Sequence, residues 1–235
     1  MPKILEKWTV MPHGRLTQID DGIWTVTGEL HMPLTPLERR MTLVRLKTDD
    51  LVIYSAIALD EAQMQALEAV GHPAFLVIPG DRHRLDSKIW KARYPDLKVI
   101  APAGARDAAE EAVPVDATEI DFGDDAVRFV TVLGTSGHEA AVIVRRAAGT
   151  TLIVNDIIGN MPEDSGLVLR LTQFAGDEPH IPLPVKMGYK DKDGLRDQLL
   201  TWAEEPGLTR IIMSHGEPIE TEAAESLRRL AATLS

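Results

Sequence analysis

Four short apolar runs constrain this chain more than any other feature: Phe75-Leu76-Val77-Ile78, Phe129-Val130-Thr131-Val132-Leu133, Thr151-Leu152-Ile153-Val154 and Arg210-Ile211-Ile212-Met213. Segments of this kind read as strands buried in a sheet. Each leads to a side chain that can ligate a metal. The first runs through Pro79-Gly80-Asp81-Arg82 to His83, the second through Gly134-Thr135-Ser136-Gly137 to His138, the third through Asn155 to Asp156, and the fourth through Ser214 to His215. A polar residue at the end of a buried strand stands at the rim of its sheet, so four on the same rim would make a site. Three imidazoles and a carboxylate form a donor set that zinc, iron or manganese accepts.

Composition narrows the classes of function. A chain of 235 residues suffices for one large domain with a substantial core. Hydrophobic residues make up 44% and charged residues 26%, as in folded globular domains rather than disordered ones. A net charge of -11 with no basic block argues against nucleic acid or an anionic membrane as partner. Cysteine is absent, which removes disulfides, thiolate ligands and a cysteine nucleophile, so any metal must be held by nitrogen and oxygen. The opening Met1-Pro2-Lys3-Ile4-Leu5-Glu6-Lys7-Trp8 lacks the apolar core of a signal peptide, and no apolar stretch reaches membrane-spanning length; the expected location is cytoplasmic.

The order of elements follows from periodicity and turn signals. Strands are expected at 19–26, 41–46 and 51–56, forming an antiparallel meander, with a proline-marked loop at 32–37. A helix follows from Asp60, as N-cap, to Val70, ended by Gly71. The strand at 75–78 precedes a helix over 85–93, a strand at 98–101 and a helix over 105–112. A second antiparallel group is expected at 119–122, 126–133, 141–146 and 151–154, then a helix over 195–204, the strand at 210–213 and a final helix from Pro218 to about Leu234. Strands in two groups with helices after each imply an α/β fold in which two sheets pack face to face with helices outside, a four-layer αββα sandwich. The chain is read as a single domain over 1–235. Residues 159–194 interrupt the pattern with four prolines and only one helical stretch, 165–174; a connection this long, beginning just after Asp156, reads as a lid or insertion over the site.

Several segments carry a family resemblance. Gly22-Ile23-Trp24-Thr25-Val26, Arg40-Met41-Thr42-Leu43-Val44-Arg45-Leu46, Trp90-Lys91-Ala92-Arg93-Tyr94-Pro95 and Thr151-Leu152-Ile153-Val154-Asn155-Asp156 resemble the metallo-β-lactamase superfamily, within it a bacterial branch of unknown function with a degenerate first metal motif. The resemblance spans nearly the whole chain and implies the αββα fold. The family's first motif, His-x-His-x-Asp-His, is replaced here by Asp81-Arg82-His83-Arg84-Leu85-Asp86, in which His83 is kept and Leu85 stands in place of an aspartate. Gly137-His138, Asp156 and Ser214-His215-Gly216 are similar to the later motifs. The resemblance thus implies metal ligation by Asp81, His83, Asp86, His138, Asp156 and His215, with Asp86 and Asp156 also taking part in catalysis. It implies one or two divalent ions, zinc foremost and iron or manganese next, in a hydrolase acting on a small molecule through metal-activated water. Leucine at position 85 predicts a weaker second metal site or a single-metal site.

Structural readings stand beside these. His83 between Arg82 and Arg84 would serve equally as a surface cap of the following helix, His138 as a turn residue beside Glu139, Asp156 as a helix cap and His215 as a turn signal. His180 is the one other histidine placed over the cleft. No phosphate-cradling glycine motif and no serine elbow is present. The alternative function is a non-catalytic module on the same scaffold, binding a ligand or assembling into a homo-oligomer, kept open by the changes at Asp81, Leu85 and Asp86.

Overall fold

Residues 4–30 and 36–234 are described by a computed structural model, so residues 32–35 of the proline-marked loop read at 32–37 lie outside the described residues, and Leu37 already belongs to a strand. The first half of the chain builds a six-stranded sheet of β1 (Thr17–Asp20), β2 (Ile23–Leu30), β3 (Leu37–Arg45), β4 (Asp50–Tyr54), β5 (His72–Val77) and β6 (Lys98–Ile100), in that spatial order. β1 to β4 form the expected antiparallel meander. β5 and β6 add parallel strands, which need crossovers; α1 (Glu61–Val70) and α2 (Ser87–Arg93) supply them, and α3 (Arg106–Glu110) follows. The second sheet has the order β10 (Leu208–Met213), β9 (Gly149–Val154), β8 (Ala140–Arg146), β7 (Val127–Thr131), antiparallel except where β10 joins β9 in parallel. The remaining helices are α4 (Leu167–Leu171), α5 (Leu183–Gly188), α6 (Lys192–Ala203) and α7 (Ala223–Ala232).

Alternation along the strands sorts their side chains into three apolar layers. Leu51 and Ile53 of β4 face Met64 and Leu67 of α1 and Ile89 and Trp90 of α2. Val52 and Tyr54 of the same strand face the other sheet, where Val77 and Ile100 meet Val142, Val144, Ile153 and Ile212. Leu152, Val154, Ile211 and Met213 turn outward to Leu199 and Trp202 of α6 and Leu227 and Leu230 of α7. Three apolar layers between four layers of structure make the αββα sandwich. Each fully buried large aliphatic or aromatic side chain adds about 1.5–3 kcal/mol, so these layers dominate the stability. The Tyr54 hydroxyl crosses the central layer and donates to the Ala140 carbonyl at 2.7 Å, a direct polar tie between the sheets.

Local chemistry explains where the elements begin. Asp60 caps α1, its Oδ1 accepting from the Gln63 amide at 2.8 Å. The strand expected at 19–26 is instead a hairpin, because Asp21-Gly22 turns the chain with Gly22 at φ 66°. The strand expected at 119–122 does not form. There Asp121 accepts from the Gly123 amide at 2.8 Å, a local turn that competes with pairing, while Phe122 still fills the central layer. The segment 159–194 has more helix than its prolines suggest, since α5 follows Pro182 and carries Pro184 in its first turn, where no intrahelical donor is needed. Among the described residues no helix is long and apolar enough to cross a membrane.

Candidate metal centre

Three of the four strand-end residues converge at the seam between the sheets. His83 lies in the turn after β5, Asp156 follows β9 and His215 follows β10, so one sheet contributes one donor and the other contributes two. His83 Nε2 lies 3.1 Å and His215 Nε2 3.2 Å from the same Asp156 oxygen, Oδ1. The donor atoms of the three residues lie within 4.8 Å of one another. The two rings also meet edge to face, 5.3 Å between centroids.

The far side of each ring is anchored. His215 Nδ1 is 2.6 Å from the Glu38 carbonyl; a carbonyl only accepts, so the ring carries a proton on Nδ1. His83 Nδ1 is 2.8 Å from the Ser55 hydroxyl, which can take either role. Ser55 is buried at the end of β4 in the left-handed region, φ 58°, an arrangement costing about 1 kcal/mol or more and sustained by its surroundings. Such anchoring fixes ring orientation and, for His215, leaves Nε2 as the ligating nitrogen, the arrangement characteristic of histidine metal ligands. Two imidazole nitrogens and a carboxylate oxygen, preoriented in a partly closed site, fit a divalent ion of the zinc, iron or manganese kind.

Electrostatics tie the three together. Burial opposes ionisation of Asp156, but the charges and hydrogen bonds of His83 and His215 outweigh it and hold the carboxyl well below the usual carboxylate range. Burial likewise opposes a charged His215, and the hydrogen bond and charge of Asp156 reverse that effect and raise it.

The other expected ligands are placed differently. His138 and Asp81 form their own pair, with His138 Nδ1 3.0 Å from Asp81 Oδ1, outside the three-residue group. Asp81 and Asp156 nonetheless line one cleft of about 180 Å³. Asp86 does not join the group: it is buried, its Oδ1 accepts from the Ala58 amide at 2.9 Å, and its Oδ2 accepts from Arg39. Leu85 is buried beside it. His180 pairs through its backbone with Gly159, its ring lies against Gly176, and it is not among the residues lining the cleft.

Residues missed from the sequence complete the site. Glu139 is buried behind Asp156, with Oε2 accepting from Asn155 Nδ2 at 2.9 Å and Oε1 3.5 Å from the Tyr189 hydroxyl. Burial, and next the Asp156 charge, push its carboxyl well above the usual range. A lone glutamate opening the run Ala140-Ala141-Val142-Ile143-Val144 was the available signal. The segment 159–194 forms one wall of the cleft through Phe174, Val185 and Tyr189. Phe174 stands edge-on to the His215 ring at 5.9 Å, and the Asn160 backbone bonds to Glu217 at 3.0 Å, rooting the segment beside His215.

No protein-family model matches the chain, and no curated protein matches it in sequence. Solved structures do. The mono-zinc form of the metallo-β-lactamase FIM-1 from Pseudomonas aeruginosa is 16% identical with a TM-score of 0.65, over 95% of this chain and 96% of that one. The metallo-β-lactamase DIM-1 is 12% identical with a TM-score of 0.66, over 97% and 100%. A metallo-β-lactamase from Erythrobacter litoralis with β-mercaptoethanol in its active site is 15% identical with a TM-score of 0.62, over 93% and 96%. The chain has the metallo-β-lactamase fold.

Proposed function

We propose that this chain, a protein of the metallo-β-lactamase fold, is a metal-dependent, hydrolase-like protein that acts on a small molecule through metal-activated water. The observation that carries the reading is the convergence of His83 Nε2 and His215 Nε2 on one oxygen of Asp156, with both rings anchored from behind. When bound, a zinc, iron or manganese ion would supply Lewis acidity at this point, enough to bring the pKa of water from about 15.7 to near 7. Asp156 and the two histidines hold the position. Glu139, whose carboxyl burial pushes well above the usual range, stands at the cleft wall beside Tyr189 as a group that can hold or release a proton. Phe174, Val185 and Tyr189, in the segment we read as a lid, confine the substrate and limit water. Asp81 lines the same cleft, with its carboxylate engaged by His138.

Elemental analysis of protein purified without chelators tests the reading. About one equivalent of zinc, iron or manganese per chain is expected, lost in Asp156→Ala and in His215→Ala, after which ester, thioester and phosphodiester substrates are to be screened. Less than about a tenth of an equivalent after metal is offered in excess would overturn it and favour a non-catalytic binding module on the same scaffold.

A further inference from the structure

The Arg39–Asp86 pair bears on how many ions the centre can take, an inference that rests on the metal-dependent reading above. Asp86 is 1% exposed and Arg39 7% exposed. Both carboxylate oxygens already have donors, the Ala58 amide at 2.9 Å on Oδ1 and the Arg39 guanidinium on Oδ2. Arg39 directly follows Glu38, whose carbonyl anchors His215 at 2.6 Å, so the guanidinium enters from the same stretch of β3 that positions a metal donor. Leu85, the residue before Asp86, offers no donor atom.

A second ion ligated by Asp86 would have to displace or adjoin the Arg39 guanidinium, which offers donors only and no lone pair to a metal. In a buried setting the repulsion between a dication and that fixed charge is strong. We propose that the Arg39 guanidinium takes the role of a second cation: it occupies Asp86 and restricts the centre to a single metal ion held by His83, Asp156 and His215. The pair is then a structural replacement for metal chemistry, with Arg39 acting through charge rather than by touching substrate.

The test is zinc stoichiometry, measured by mass spectrometry on the full chain after loading with excess zinc and desalting, with circular dichroism to confirm folding. The wild type is expected to hold about one zinc. About two would overturn the inference and leave the metal-dependent reading intact, whereas none would overturn both. Arg39→Met is expected to raise the content toward two by freeing Asp86; a folded Arg39→Met variant that stays at one overturns the inference. Because that variant leaves a buried charge unpaired, the charge-neutral double variant Arg39→Met with Asp86→Asn carries the test if the single variant does not fold. It is expected to keep one zinc, and loss of that zinc would identify Asp86 as a ligand and overturn the proposal.

Discussion

Asp124 shows what one carboxylate does for this fold. It sits in the turn before β7, where Oδ2 accepts from the Lys47 amide at 2.8 Å and Oδ1 from the Ala126 amide at 3.0 Å, joining the first sheet's hairpin to the second sheet. Burial opposes its charge, but the two amide bonds outweigh that and lower its pKa. A lowered folded-state pKa means that the stabilisation is present above the unfolded value of about 3.9 and is lost as pH falls through the folded value. Asp124→Asn, which keeps one acceptor oxygen, is therefore expected to cost about 1 kcal/mol at pH 7, allowing for partial exposure, with the difference from wild type shrinking in acid as pH falls through the folded value. Urea unfolding at pH 7 and in acid checks it; a deficit undiminished in acid would refute this account. The residues at strand ends, His83, Asp156 and His215, were legible because each ends an apolar run. Their anchors were not. Glu38 lies 177 residues from His215 and is used through its backbone, and Ser55 serves His83 from another strand, so no local pattern announces either.

Among the elements, the join between β10 and the wall of the cleft is the most demanding. Gly216 has φ 95°, and a Cβ there would lie 2.2 Å from the Asn160 backbone. Gly216→Ala must move either the strand end bearing His215 or the root of the segment at Asn160. It is expected to cost about 2 kcal/mol or more and to weaken metal binding, readable as a lowered unfolding midpoint together with reduced metal content; retention of both would show that the turn yields freely. Across the seam, Tyr54→Phe strands the Ala140 carbonyl in an apolar layer and is expected to cost about 1–2 kcal/mol by urea unfolding. Most elements were readable from period and punctuation. Those missed have two causes: at 119–122 and at Asp21-Gly22 short aspartate and glycine turns overrode apolar signals, and α5 formed behind prolines that serve a helix start as well as a loop.

For the molecule as a whole, strand order was the hidden variable. Composition and two clusters of strands pointed to stacked sheets, yet only the pairing of β10 beside β9 puts His215 next to Asp156, and only face-to-face packing brings His83 to both. A ligand that binds the folded chain alone stabilises it by about 2.7 kcal/mol at a hundredfold excess over its dissociation constant. Zinc is thus expected to raise the unfolding midpoint by about 5–10 °C, an increase absent in Asp156→Ala. An equal increase in that variant would locate the binding elsewhere. The anchoring of His215 by Glu38, across three quarters of the chain, has a kinetic consequence. Neither half can assemble the three donors alone, and the loop to be closed is among the longest this chain contains. Metal capture at full affinity would then report the last stage of folding, so the rate at which a nascent or refolding chain acquires its ion measures the docking of one sheet onto the other.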